Sequence, residues 1–357
     1  MFKLNCTKLF LVVFIAFGFI TAQTPDYYST IDFSQRGDAL KTQLSNLIID
    51  THTTDIPYTS SSTDTWDILR ISDLENPNSE NVLLIYGFDD NDRIYITDRT
   101  RNTIDTCHSS SCVGLWNREH VFAKSLANPS LITSVPGSGT DVHNLRPADS
   151  QKNSQRNNRL FVDDSGEDSK IVNGDYFFPG DEWKGDVARV IMYMYLRYPS
   201  QCEAINSAFS NAIYSPNSDM PDIYLEWNEE DPVSALELTR NAIISSYQGN
   251  RNPFIDNPYL ATMIWNGPAA IDSWGTLSST IENEISINVL PTITNRSITI
   301  NGLNNNNSEI FIYNQLGQKM IFSNRFKTID VSSFPTGLYI LHVESNNSVY
   351  QSKFIVK

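Results

Sequence analysis

The change of pattern near residue 286 constrains this chain more than any other feature. Before it, apolar residues recur at helical spacing. After it they alternate in short runs, at 309–313, 337–343 and 349–356, around a low-complexity Asn304-Asn305-Asn306-Asn307 turn. A period of 3.6 and a period of 2 ask for different layers, so the chain is expected to fold as two units. Its 357 residues, 40% of them hydrophobic, leave room for a large core and a small one. The expected class is α+β, with a mixed, helix-rich domain over 23–285 and a small all-β sandwich over 286–357. Charge divides at the same place. The tail carries six basic and three acidic groups; setting these and the two lysines near the start aside leaves 18 basic against 38 acidic, a balance of −20. An acidic body of this kind argues against a surface coated for nucleic acid, because phosphate contacts come from Lys and Arg. A small basic groove beside a metal ion remains compatible with it.

The first residues read as a signal peptide over 1–22. Lys3 and Lys8 flank the start of an apolar run at 9–20, and Thr21-Ala22-Gln23 offers cleavage after Ala22. The run is short for a bilayer span, which makes a membrane anchor the weaker alternative. The expected product is a secreted or cell-surface protein, a monomer with no membrane span. Cys6 leaves with the leader, so Cys107, Cys112 and Cys202 remain. Export permits disulfides, and Cys107 and Cys112 enclose a short loop that one bridge could close, leaving Cys202 as a buried thiol. A zinc site on that pair with His108 competes, but no second Cys or His pair stands nearby.

Between the leader and residue 286 the spacing predicts mostly helix over 27–72, including one through Leu40, Leu44, Leu47 and Ile48, and another over 66–74. A strand is expected over 81–86, closed by a solvated turn at Asp89-Asp90-Asn91-Asp92 that lacks the Gly and distal Glu of a calcium loop. Asp149 or Ser150 caps a helix to about 159. A helix over 184–198 places Val187, Val190, Ile191, Met194, Tyr195 and Tyr198 on one apolar stripe. Asp231-Pro232 reads as the N-cap and first turn of a helix burying Leu236, Ile243, Ile244 and Tyr247. An irregular loop over 252–258 and a short helix over 260–265 close the domain.

Chemistry concentrates in Trp116-Asn117-Arg118-Glu119-His120-Val121 and Asp141-Val142-His143-Asn144-Leu145-Arg146-Pro147, followed by a polar stretch carrying Asn153. A carboxylate, an imidazole and a neutral oxygen ligand suffice to hold one hard cation and activate one water. A neutral His, with a pKa of roughly 6.5, can take a proton from water near neutrality. Magnesium keeps several waters and accepts a small protein share, such as one Glu and one Asn carbonyl. Neighbouring side chains on a strand face opposite ways, so Glu119 and His120 can share a site only where the strand ends or twists. In a helix from Ser150, Asn153, Arg156 and Asn157 lie on one face. The window 146–159 also holds Arg146, Lys152 and Arg159 against Asp149 alone, the densest basic segment of the acidic body. The plain alternative is a solvated helix whose arginines pair with Asp163 and Asp164.

These two blocks, with Asn153 ten residues after His143, resemble the endonuclease I family of secreted bacterial nucleases. Lys184-Gly185-Asp186-Val187-Ala188-Arg189 and Gly249-Asn250-Arg251-Asn252-Pro253-Phe254 resemble its later blocks in the same order, and the likeness runs over 26–274. It implies a ββα-metal core, sequence-tolerant cleavage of DNA and often RNA to 5′-phosphates, His120 as general base, and Glu119 and Asn153 as magnesium ligands; whether calcium or manganese substitutes is left open by the sequence. The family places a phosphate-holding arginine between the Glu-His pair and the second block, where this chain has only Lys124. Arg146 and Arg156 are therefore expected in that catalytic role, with Lys152, Asn157, Asn144 and His143 toward the substrate, the last two mainly as scaffold.

The tail carries Ile312-Tyr313-Asn314-Gln315-Leu316-Gly317-Gln318, Asp330-Val331-Ser332 and Pro335-Thr336-Gly337-Leu338-Tyr339 before a basic end. It resembles type IX secretion sorting domains, which implies that secretion machinery as a partner. A carbohydrate-binding or adhesive β-module is the alternative. For the body, the other readings are a zinc hydrolase on Glu119, His120 and His143, and a binding or adhesion protein in which the Glu-His pair is structural.

Overall fold

The computed structural model describes residues 24–109, 112–276, 288–301, 309–315, 317–323, 328–345 and 348–357. The expected signal segment and the Asn304–Asn307 turn lie outside them. The chain divides into two compact units, Met1–Leu277 and Ser278–Lys357, and its class is α+β.

In the first unit, α1 (Gly37–Asp50) buries Leu40, Leu44 and Ile48 at the spacing seen in the sequence. Helix α2 (Thr65–Ser72) starts at a capping box, in which Asp64 accepts from the Trp66 and Asp67 N–H groups and Asp67 returns to the Asp64 N–H. Between them 51–64 is not helical. There the Ser60 hydroxyl donates to the Ser62 carbonyl and accepts from the Ser62 N–H, the local competition that draws serine out of helices. Strand β1 (Asn81–Leu83) pairs antiparallel with β2 (Thr100–Asn102). It ends before 86 because the Ile85 N–H goes to the Pro147 carbonyl and Tyr86 takes a φ of 74°.

The segment that positions the chemistry is β3 (Trp116–His120) against β4 (Leu145–Asp149), followed at once by α3 (Ser150–Arg156). The antiparallel register sets Glu119 opposite Arg146 and His120 opposite Leu145. Asp149 caps α3 through the Gln151 and Lys152 N–H groups, and Asn157, at φ 52°, stops it short of 159. This is a ββα unit. A small sheet of β5 (Leu160–Phe161), β6 (Lys170–Val172) and β7 (Tyr176–Phe178) follows, in the order β5-β7-β6.

Helix α4 (Lys184–Arg197) is buried on all sides from Gly185 to Leu196, not along one stripe. Its charges are matched in place: Asp186 by Arg146 at 2.5 Å and Arg189 by Glu237 at 2.6 Å. Helix α5 (Asp222–Glu230), unforeseen in the sequence, packs against it. Asp231 ends α5; the next helix, α6 (Ala235–Gln248), starts instead at a Ser234–Glu237 capping box. Its buried face is Glu237, Arg240, Asn241, Ile244 and Gln248, while Tyr247 is exposed. The polar face turns inward because Arg240 binds Asp73 and the Val142 and Leu145 carbonyls, and Gln248 binds Asp141 and the Val142 N–H. Short helices α7 (Pro253–Asp256), inside the expected loop, and α8 (Tyr259–Trp265) complete the unit.

The second unit is all β. Strands β8 (Asn288–Leu290), β9 (Ile293–Thr294), β10 (Ser297–Asn301), β11 (Glu309–Asn314), β12 (Lys319–Ser323), β13 (Thr328–Asp330), β14 (Gly337–Ser345) and β15 (Ser348–Val356) form two sheets, β13-β10-β8 and β12-β11-β14-β15-β9. Alternate residues Ile298, Ile300, Ile310, Ile312, Tyr339, Leu341, Val343, Phe354 and Val356 fill the space between them. Among the described residues no helix is long and apolar enough to cross a membrane.

Candidate active site

Strand β3 stops at His120, and there the alternation of side chains ceases to separate neighbours. Glu119 and His120 both line one cleft of about 340 Å³, together with Tyr58, Arg118, Lys124, Ser125, Asn153, Ser154, Asn157 and Asn158. His120 is buried, with Nε2 2.8 Å from the Gly139 carbonyl, and its ring lies against Tyr58 at 5.7 Å between centroids. A carbonyl only accepts, so Nε2 carries the hydrogen and Nδ1 is left with a lone pair. Burial drives the His120 pKa down to about 4, which keeps the ring neutral. Gly139 cannot be replaced freely: a Cβ there would meet the Ile132 carbonyl oxygen at 2.0 Å.

Glu119 is also buried. It accepts from Tyr86 Oη at 3.0 Å and lies 3.5 Å from Arg156 Nη1. Burial outweighs these two and raises its pKa to about 7. A further positive charge beside this carboxylate would hold it ionised. Asn153 gives its amide hydrogen to Asn117 Oδ1 at 2.8 Å, so its carbonyl oxygen is the group left to act as a ligand. Two oxygen donors in a polar cleft fit a hard cation that retains water. No three His, Cys, Asp or Glu side chains converge among the described residues, so a zinc-type set is not assembled.

Several expected residues sit elsewhere. Arg146 does not face the cleft; it is fully enclosed between Asp73 at 2.8 Å and Asp186 at 2.5 Å. Arg156 is also enclosed, donating to the backbone carbonyls of Val121 at 2.8 Å and Asn157 at 3.0 Å, with its face over Phe161. It ties the end of β3 to α3 and neutralises Glu119 from behind. Lys152 points the other way, its Nζ 3.3 Å from the Ser169 carbonyl, and burial lowers its pKa. His143 packs on Tyr193 with Nε2 near the Asn250 carbonyl, and burial lowers its pKa to about 3. Asn144 clasps the Phe122 backbone, accepting from its N–H at 2.7 Å and donating to its carbonyl at 3.2 Å. All three lie outside the cleft. Cys107 and Cys112 are joined by a disulfide, and Cys202 is a buried thiol.

Arg118 was not anticipated. Its guanidinium lies between the rings of Tyr58 (3.4 Å to the centroid) and Trp66 (4.1 Å). Among the described residues, its hydrogen bonds go to neutral oxygens: the Tyr58 carbonyl, Thr65 Oγ1 and Thr59 Oγ1. Burial lowers its pKa to about 10, so it remains a cation at neutral pH. The signal was present in the motif, because Arg118 and His120 are two residues apart on one strand and therefore share a face.

Residues 36–259 match the family described as Endonuclease I, and residues 288–357 match the secretion system C-terminal sorting domain. The chain is similar to an extracellular ribonuclease of Bacillus amyloliquefaciens, 37% identical over 69% of this chain and 80% of that protein. An extracellular ribonuclease of Bacillus subtilis (strain 168) is 38% identical over 68% and 80%. An extracellular deoxyribonuclease of Aeromonas hydrophila is 27% identical over 32% of this chain and 48% of that protein. The protein is a secreted or cell-surface nuclease that belongs to the endonuclease I family and ends in a secretion sorting domain.

Proposed function

We propose that this nuclease hydrolyses phosphodiester bonds in RNA and DNA without sequence preference, in a magnesium-dependent reaction that leaves 5′-phosphates. The observation that carries this reading is His120, neutral, anchored through Nε2 and presenting Nδ1 in the same cleft as a buried carboxylate. Nδ1 accepts the proton of a water as its oxygen attacks phosphorus, and the 3′-oxygen departs. Glu119 and Asn153 are the residues that would hold the cation. When bound, magnesium neutralises phosphate charge and stabilises the leaving oxygen, and calcium or manganese could take its place. Arg118 and Lys124, the cations that line the cleft, hold the scissile phosphate in place of Arg146 and Arg156. RNA stands beside DNA because the two relatives matched over most of their length are ribonucleases by name. The zinc reading would need His143 beside Glu119 and His120, and His143 packs elsewhere.

The test is cleavage of plasmid and of RNA by the full chain, with magnesium and with EDTA. His120→Ala is expected to lose roughly 10²–10⁴-fold in rate while still binding Mn²⁺. Wild-type cutting by that variant would remove the base, and 2′,3′-cyclic ends on RNA would show attack by the ribose instead of water. The tail is proposed to engage the type IX secretion machinery. Deleting 288–357 should then retain the nuclease in the periplasm.

A further inference from the structure

We infer that Asn117, which the mechanism above does not use, is the positioning residue that sets the orientation of the Asn153 amide, and hence the divalent-cation affinity. The inference rests on the reading of Asn153 as a ligand. An asparagine amide offers a donor at one end and an acceptor at the other, and a flip exchanges them. A half-turn of Asn153 would present NH₂ to a cation and abolish the site. Here the direction is fixed by a relay. Asn153 Nδ2 donates to Asn117 Oδ1 at 2.8 Å, and Asn117 Nδ2 donates to Ser150 Oγ at 3.4 Å. Ser150 Oγ also accepts the Cys112 N–H at 3.0 Å and gives its own hydrogen to Cys107 Sγ at 3.3 Å.

Disulfide sulfur cannot donate, so the Ser150 hydroxyl turns its hydrogen toward it and its lone pairs toward Cys112 and Asn117. That leaves Asn117 with Oδ1 toward Asn153, and Asn153 with its carbonyl away from Asn117. The three residues nearest the amide sit on regular elements: Asn117 on β3, Ser150 and Asn153 on α3. Asn117 also shares its face of β3 with Glu119, so one strand face supplies one ligand and the support of the other. Outer partners of this kind change metal affinity by about 10–100-fold when removed.

The experiment is Mn²⁺ titration of the full chain followed by EPR, beside the dependence of cutting on magnesium concentration. Asn117→Ala should raise the Mn²⁺ Kd by about tenfold or more and shift half-maximal cutting to correspondingly higher magnesium. Asn117→Asp keeps the acceptor and should bind no more weakly than the wild type. Asn117→Ala combined with Asn153→Ala should bind no more weakly than Asn153→Ala alone. A folded Asn117→Ala chain with the wild-type Kd overturns the inference, as do additive losses in the double variant. If Asn117→Ala does not fold, Asn117→Ser, too short to reach the amide, is read the same way. Asn153→Ala separates the two failures. If it leaves Mn²⁺ binding intact, the ligand reading falls and the inference with it; if it weakens binding while Asn117→Ala does not, only the inference falls.

Discussion

Arg118 and Arg146 sit on facing strands of the same ladder, Arg118 opposite Pro147 and Arg146 opposite Glu119, yet they meet opposite surroundings. Arg146 points to the interior, where Asp73 and Asp186 enclose it. Arg118 points to the other face, where two aromatic rings and neutral oxygens hold it at the edge of the cleft. The difference is what the charge is matched against. A guanidinium sealed among carboxylates is already neutralised and cannot attract phosphate. One held by rings and carbonyls keeps its field for a ligand. Arg189 and Arg240 follow the first pattern, and with Arg146 and Arg156 they are among the largest fully buried side chains of the protein. An acidic chain therefore spends much of its positive charge inside.

Removing Arg146 tests the interior half of the comparison most severely. Arg146→Ala strands Asp186 and should cost about 3–5 kcal/mol of stability, measured by urea unfolding. The sign with pH is fixed by Asp186. Burial, aided by Glu237 and opposed by Arg146 and Arg189, lifts its pKa to about 6, above its unfolded value. The stability tied to its protonation is present below the unfolded value and lost as pH rises through 6. Without Arg146 that loss deepens, so the deficit of the variant should be larger at pH 8 than at pH 5. A deficit that does not grow with pH would show that Asp186 is not the group Arg146 serves.

Arg118→Ala addresses the cleft half. Loss of one charge-assisted phosphate contact, worth about 1.5–3 kcal/mol, should weaken substrate binding by roughly 10–100-fold in KM. Arg118→Lys should recover little, because Lys lacks the flat face that stacks between Tyr58 and Trp66. A variant with lowered Tm and unchanged KM would move Arg118 to the structural side.

The third effect concerns the carboxylate between them. On the proposed metal reading, a Glu119 pKa of about 7 would require an incoming cation to displace a proton. At limiting magnesium, cutting should rise with pH through about 7, and the rise should move to lower pH as magnesium increases. The smallest effect belongs to Lys124, exposed at the cleft rim. Lys124→Ala should weaken RNA binding uniformly across sequences and flatten the salt dependence by about 0.7 in log–log slope.

Much was legible without coordinates. The Glu-His pair, Asn153 and Asn157 came from chemistry and helical spacing, and all four line one cleft. What misled was the basic window 146–159. Its density of cations suggested a surface for phosphate, yet Arg146, Lys152 and Arg156 turn inward. Linear sequence records how many charges a segment has, not which distant carboxylates wait for them: Asp73 and Asp186 lie far along the chain from Arg146. Helix α6, whose existence and end near Gly249 the spacing did indicate, had its buried face misread for the same reason. Its buried face is polar because partners on other elements satisfy it, and a hydrophobic pattern cannot announce that.

Local chemistry therefore made the ββα segment and the positions of Glu119, His120 and Asn153 on it legible, since periodicity, caps and residue type are properties of neighbouring positions. Tertiary structure decided which cations reach the cleft, which nitrogen of His120 is free and which way the Asn153 amide faces. Those depend on Gly139, Asn117, Tyr58 and Asp186, groups that act through short-range contacts and become neighbours only when the chain has folded.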